Sequence, residues 1–508
     1  MYRFCFSGLL LLFACPQLLP AQQLVNAGSL NLPDSGMITA GALDATGNLY
    51  LASTLQLKTL PGQAGLAGLF PAGDPVLSKF GPDGALLWRR EFPGNMARIC
   101  DAAVTPDQGL IITGGYLDSF RLAPGWHIPG VNEYDAGFFI ARLDADGNIV
   151  WIDTRVSTLP EDCIGWTLAV ADDAIYVAGM QDAIGASLRR YDFDGTLRAE
   201  KIIDIRSVSD LTLDEEGRLY AVGTASPGAL FANLPVPAPP QFTGYANYVA
   251  RLDSGLTAQW IRSFNYATFD EHPKVAAFKE HVFALSNDFD LGPNLPGCYR
   301  LKAFSPDGDL VWADSILGGA IPPDYQHFAL QPFCDHLLLQ YPSAAGMAVK
   351  AYDAGLKGSL LLQSSPGDFE GSFPFMCTNE DVAVFGSNFR NETLGIGGDF
   401  VLHNDKSPVP RQFILQFGCA GEPTGSSAAP PAASEWRLAP NPAASDVSLY
   451  LSGGDVPQNT RVELLDATGR LQWSGNGADI PVAGLPAGAF LVRVTADGKT
   501  TTLRGIKL

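Results

Sequence analysis

Apolar and polar residues alternate along this chain in short runs that double back on themselves. The clearest run is Phe139-Ile-Ala-Arg-Leu-Asp-Ala-Asp-Gly-Asn-Ile-Val-Trp151, a strand pattern, a polar turn and a second strand ending in Trp. Close copies span Val76 to Trp88, Tyr248 to Trp260 and Arg300 to Trp312, and worn copies start at Ser187 and Ala348. A last copy, Phe413-Ile-Leu-Gln-Phe-Gly418, stops before its turn. Each closing half follows an opening half of the same make. The first opening half is Gly41 to Ser53; the others are Ala102–Gly115, Leu168–Gly179, Asp210–Gly223, Val275–Ser286, Phe328–Gln340 and Phe375–Gly386. Their turns are rich in Asp, Gly and Asn, which suits tight hairpins where Gly or Asn takes positive φ at little cost.

Two hairpins make a four-stranded unit, recurring at intervals of about 40 to 65 residues, the period of a propeller blade. The pattern predicts an all-β, seven-bladed β-propeller over 22–418. The seventh unit lacks its outermost strand, and the strand-like run Gln23 to Leu30 is free to supply it. Such a closure would remove two exposed sheet edges. A frayed terminus is the rival reading.

Long connections fall at 54–75, 116–137, 155–166, 224–246, 263–273, 317–325 and 388–398, all expected on one face. Long loops on a rigid scaffold are where binding usually sits. The candidate ligand-binding residues there are Trp126, Tyr134, Asp135, Tyr245, Asp270, Glu271, His272, Asp324 and Tyr325. The bland alternative is that these loops only pack on each other.

The paired patterns at 42–53 and 139–151 resemble the bacterial β-propeller repeats of the SBBP type, over roughly 25–418. The third, sixth and seventh units depart from the pattern. Ala199 replaces the Trp, and the sixth turn is irregular around Leu356. The resemblance implies the fold and carries no catalytic residues.

Composition adds an address. The 508 residues carry a net charge of −20, yet only 17% are charged, which argues against nucleic acid or an anionic membrane as partner. Residues 1–21 read as a signal peptide: Arg3, then an apolar core from Phe6 to Ala14 too short to span a bilayer. Cys15 as a lipidated cysteine is the competing reading. No later stretch has the length and apolarity of a transmembrane segment. Past the leader remain Cys100, Cys163, Cys298, Cys334, Cys377 and Cys419, an even set that predicts at least one disulfide in an exported protein.

Residues 419–434 are small, with Pro, and read as a linker. A compact strand pattern over 435–508 predicts a small Ig-like β-sandwich. Four motifs there resemble the type A C-terminal sorting domain of the Bacteroidota type IX secretion system: Leu438-Ala-Pro-Asn-Pro442, Val462 to Arg470, Leu485 to Val494, and Leu503-Arg-Gly-Ile-Lys-Leu508. Ala439 stands where that family often has an aromatic residue. The resemblance assigns sorting-signal roles to Pro440, Asn441, Pro442, Gly469, Leu485, Gly488 and Lys507. It implies export through the periplasm with the type IX machinery as partner. After tail cleavage the chain would be released or attached to lipopolysaccharide.

Catalytic signatures are missing from the sequence: no His-Glu-x-x-His, Gly-x-Ser-x-Gly or phosphate loop occurs. The acidic turns at Asp144 and Asp192 lack the spacing of a calcium loop, and no cofactor or metal is expected. The reading is a secreted or surface-exposed, non-catalytic binding or scaffold module for glycan, peptide or protein. The alternative is a propeller hydrolase or lyase acting on polysaccharide or peptide.

Overall fold

The computed structural model describes residues 24–29, 37–55, 73–92, 96–117, 120–123, 126–128, 136–156, 163–181, 185–205, 207–238, 244–267, 272–288, 298–317, 328–343, 346–364, 375–389, 393–396, 400–403, 411–418, 436–439, 446–451, 460–466, 470–476, 479–485, 488–496 and 499–507. They are all-β, with no helix among them. The chain divides into two compact units, Met1–Ala420 and Gly421–Leu508.

The first unit contains seven four-stranded antiparallel sheets among its described residues. Sheet 1 runs Met37–Leu43, Leu49–Leu55, Asp74–Phe80 and Leu86–Glu91. Sheet 2 begins at Met96–Val104, sheet 3 at Cys163–Val170, sheet 4 at Ser207–Leu213 and sheet 5 at Lys274–Phe278. Sheet 6 begins at Ala329–Phe333 and sheet 7 at Phe375–Thr378. In sheet 7 the outermost strand is Leu24–Ser29, paired antiparallel with Arg411–Gly418.

The first strand of each sheet neighbours the first strand of the next, and that of sheet 7 neighbours that of sheet 1. A buried apolar cluster lies between every adjacent pair of sheets. Tyr50 and Ile112 meet between sheets 1 and 2, and Phe138 and Val177 between 2 and 3. Leu188 and Tyr248 share the next cluster, and Tyr220 and Phe304 the one after. Tyr299 joins Tyr352, and Phe385 joins Val349. Ile38 and Leu51 close the circle against Phe375 and Val384. Seven junctions in a closed ring are the arrangement of a β-propeller.

The acidic turns hold themselves together. Asp144 Oδ1 accepts from the backbone nitrogens of Asp146 and Asn148, and its Oδ2 accepts from Asn148 Nδ2. Asp44, Asp214 and Asp253 repeat the backbone part of this pattern. These carboxylates are occupied by their own turns. Leu256 and Leu356 take positive φ, 62° and 61°, where other copies have Gly. The sixth turn therefore keeps the common shape despite its sequence. Leu256 is 0% exposed, and burying its side chain, worth about 2 kcal/mol, offsets the roughly 1–2 kcal/mol cost of the left-handed backbone.

The repeated Trp residues fasten one sheet to the next. Trp88 Nε1 donates to Ala145 O, Trp151 Nε1 to Phe193 O and Trp260 Nε1 to Pro306 O, at 3.0, 2.9 and 2.8 Å. The same three carbonyl oxygens accept a second bond from a basic residue one strand inward: Lys79, Arg142 and Arg251. Each ring also covers the glycine of that turn, at Gly147, Gly195 and Gly308.

The second unit holds a three-stranded sheet, Trp436–Ala439, Asp446–Leu451 and Asp479–Pro481. Its four-stranded sheet orders Leu471–Asn476, Arg461–Asp466, Gly488–Ala496 and Lys499–Lys507. Ile480 from the first sheet shares a buried core with Val462, Leu464, Phe490, Val492 and Val494 from the second. Leu485 is buried there too, and Gly488 pairs with Lys507 at the sheet edge. Pro440, Asn441, Pro442 and Gly469 lie outside the described residues.

Candidate functional site

The first strands of the seven sheets enclose a central channel of about 320 Å³. One local irregularity shapes its wall. In sheets 1 to 4 the first strand is bulged at the same place, at Thr39, Cys100, Trp166 and Ser209. A bulge adds one unpaired residue and re-aims its side chain. Thr39, Cys100 and Trp166 all line the channel. Thr39 Oγ1 and Trp166 Nε1 are buried and have no hydrogen-bond partner among the described residues.

After three of the four bulges the following residue, Asp101, Thr167 or Asp210, ties its sheet to the next. Asp101 Oδ2 accepts from Leu168 N of sheet 3 at 2.9 Å, and Oδ1 from Ala102 N at 2.8 Å. Thr167 Oγ1 donates to Asp210 Oδ1 at 3.2 Å, and Asp210 Oδ2 accepts from Val275 N of sheet 5 at 2.9 Å. Ser209 Oγ reaches Pro273 O at 2.9 Å. Lys274 Nζ lies 4.0 Å from Asp210 Oδ1.

Burial dominates the electrostatics. It pushes the Asp101 carboxyl up to about 6, with the Leu168 amide pulling the other way. Burial also raises Asp210, against the pull of Lys274. It pushes the Cys100 thiol up to about 11 and raises that of Cys377, which lines the channel from sheet 7. Both thiols are free, Cys377 buried and Cys100 partly exposed to the channel, and a raised pKa lowers the thiolate fraction of each. Cys334 is disulfide-bonded.

Of the residues singled out on the long connections, His272 reaches the channel wall. It precedes the first strand of sheet 5, and its ring packs on Trp166 of sheet 3, with centroids 5.2 Å apart and planes at 55°. Tyr245 is half-buried and opens the third strand of sheet 4, Tyr245–Leu252. Trp126 starts the short strand Trp126–Ile128, which pairs with Phe120–Ala123 as a hairpin between the second and third strands of sheet 2. Tyr134, Asp135, Asp270, Glu271, Asp324 and Tyr325 lie outside the described residues.

Sequence reading missed Thr39, Asp101, Trp166, Asp210 and Lys274. One signal was present: an Asp stands just before the second opening half, at 101, and at the head of the fourth, at 210. The bulges had no signal, since a one-residue register shift exists only once two strands are paired.

A comparison with known protein families finds no match, and neither does one with characterised proteins. Among solved structures the chain is similar to the Dos1 propeller, at 10% identity and a TM-score of 0.40, over 78% of this chain and 94% of that one. It is also similar to a prolyl endopeptidase, at 10% identity and a TM-score of 0.37, covering 90% of this chain and 53% of the other. A DUF4623 family protein from Bacteroides eggerthii aligns at 8% identity and a TM-score of 0.31, over 78% and 76%. The propeller arrangement itself rests on the closed ring of sheets.

Proposed function

We propose that this protein is an exported, seven-bladed β-propeller that serves as a non-catalytic binding or scaffold module for a glycan, peptide or protein. One observation carries the reading. The partly buried carboxylates of the channel, Asp101 and Asp210, accept hydrogen bonds from the backbone of neighbouring sheets. They are ties between blades, and the scaffold they brace presents long connections on one face. Three of those connections carry small hairpins, Phe120–Ile128, Leu230–Pro235 and Thr393–His403. Probing a glycan and peptide array with the mature chain tests the reading. A reproducible ligand supports it, and a blank array shifts the weight to a structural role and calls for an activity screen.

The export route belongs to the same proposal. Residues 1–21 act as signal peptide and 435–508 as a type IX sorting domain with a sandwich fold, delivering 22–418 to the surface. The four ordered tail motifs support this. Deleting 435–508 traps the protein in the periplasm; normal surface display of the truncated chain refutes the route.

One observation favours a second reading, a hydrolase or lyase. Asp101 holds its proton up to about pH 6, within the working range of a general acid, and shares the channel with Asp210 and Lys274. A polysaccharide and peptide screen in which Asp101→Asn removes all turnover would establish it.

A further inference from the structure

We propose that the central channel binds a small organic carboxylate, at a site separate from the long-connection face. The two bulge residues Thr39 and Trp166 set the requirement. Thr39 is 6% exposed, and its hydroxyl has no hydrogen-bond partner among the described residues. The indole nitrogen of Trp166 is in the same state. An unmet buried polar group costs about 1–3 kcal/mol, and native structures rarely leave one without a reason. Both residues line one cavity, from sheets 1 and 3, and both are aimed there by a bulge.

The chemistry of the missing partner follows from what the wall already satisfies. An indole N–H only donates, so its partner is an acceptor. The two carboxylates on the wall are already engaged: Asp101 takes the amides of Leu168 and Ala102, and Asp210 takes that of Val275 and the Thr167 hydroxyl. The unmet groups at Trp166 and Thr39 can both donate. Two cations, Arg98 and Lys274, line the same cavity. Lys274 stands off Asp210 at 4.0 Å, the far limit of an ion pair, and can serve a second acceptor.

Size and lining choose between anions. About 320 Å³ exceeds the need of an inorganic anion, and Leu168, Leu211, Phe328 and Phe375 put apolar surface among the polar groups. Polar groups dominate the lining and apolar patches lie between them, which suits a small organic body that carries a charged end and further polar groups. A carboxylate on a small carbon skeleton meets both conditions.

The test uses the full mature chain. Acetate, pyruvate, succinate and glucuronate are titrated while the indole N–H resonances are followed, with acetamide and glucose as neutral counterparts. At least one carboxylate should bind with a millimolar or lower Kd and shift the Trp166 signal, identified by its loss in Trp166→Phe. Its neutral counterpart should leave that signal in place. Thr39→Val and Trp166→Phe should each weaken binding at least fivefold. Should either variant misfold, the wild-type comparison of charged against neutral probes decides alone. The proposal is overturned if no carboxylate shifts the Trp166 signal, if neutral probes bind as well, or if both folded variants bind like wild type. Any of these would mark the channel as water-filled.

Discussion

Trp88 and Ala145 are 57 residues apart in sequence, yet the indole nitrogen of one donates to the carbonyl oxygen of the other at 3.0 Å. The bond joins the outer strand of one sheet to a turn of the next. Trp260 makes the equivalent bond to Pro306 and is 7% exposed. Trp260→Phe removes the donor while keeping a ring, and should cost about 1 kcal/mol. Trp260→Ala also opens a cavity and should cost about 3–5 kcal/mol. Urea unfolding of the two variants separates the bond from the packing. Equal losses would mean that the hydrogen bond contributes nothing.

The glycine under each ring is the other half of this fastening. Gly308 has φ +86°, and a Cβ there would come within 2.8 Å of the Trp260 ring. Gly308→Ala therefore meets both backbone strain and a clash, together about 1–3 kcal/mol. The same substitution at Gly217, also at positive φ but with nothing within 4 Å, should cost only the strain. A difference in unfolding midpoint between the two variants measures the ring contact.

Asp101 gives stability a particular pH dependence. Its folded pKa is about 6, raised by burial, whereas the unfolded value is near 3.8. Between these values the folded state binds more protons than the unfolded state, so stability falls as pH rises from about 4 to 6. Asp101→Asn should flatten this part of the profile. Asp210 is raised in the same direction and keeps its own contribution. Urea midpoints at half-unit pH intervals check the slope; an unchanged slope in Asp101→Asn would assign it to other groups.

At the junction of sheets 7 and 1, Asn379 Nδ2 donates to Asp44 O at 3.0 Å, and its Oδ1 accepts from the backbone nitrogens of Asp381 and Val382. Asn379→Ala removes all three bonds and should destabilise by about 1–3 kcal/mol. Deleting 24–29 strips the outer strand from Arg411–Gly418 and exposes an edge. Light scattering should then show concentration-dependent association along with a lower Tm. A monomeric variant with an unchanged melt would mean that this strand contributes little.

Much of the fold was legible because each repeat writes the same local physics. Alternation marks the strands, and Asp-x-x-Gly marks the turns. The recurrence of Trp88, Trp151, Trp260 and Trp312 at one strand position pointed to packing between blades. Trp312 makes that contact by ring packing, at 5.6 Å from Tyr352. Ala199 was legible as a gap but its compensation was not. At that junction Leu256, Phe231 and Val236 are buried in a shared apolar cluster beside Ala199. The channel was hidden for another reason. Thr39, Asp101, Trp166, Asp210 and Lys274 come from five different sheets, and only ring closure sets them around one axis.

The pairing of Leu24–Ser29 with Arg411–Gly418 also has a temporal side. Every other sheet of the ring is built from consecutive strands and can assemble as the chain lengthens. Sheet 7 joins the first described strand of the unit to its last, the most non-local contact the unit contains, and such contacts form slowly. A nascent or translocating chain therefore carries an open arc with two raw edges until residue 418 has emerged. Closure reports that the whole unit has arrived, and until then the arc is the state that chaperones and proteases meet.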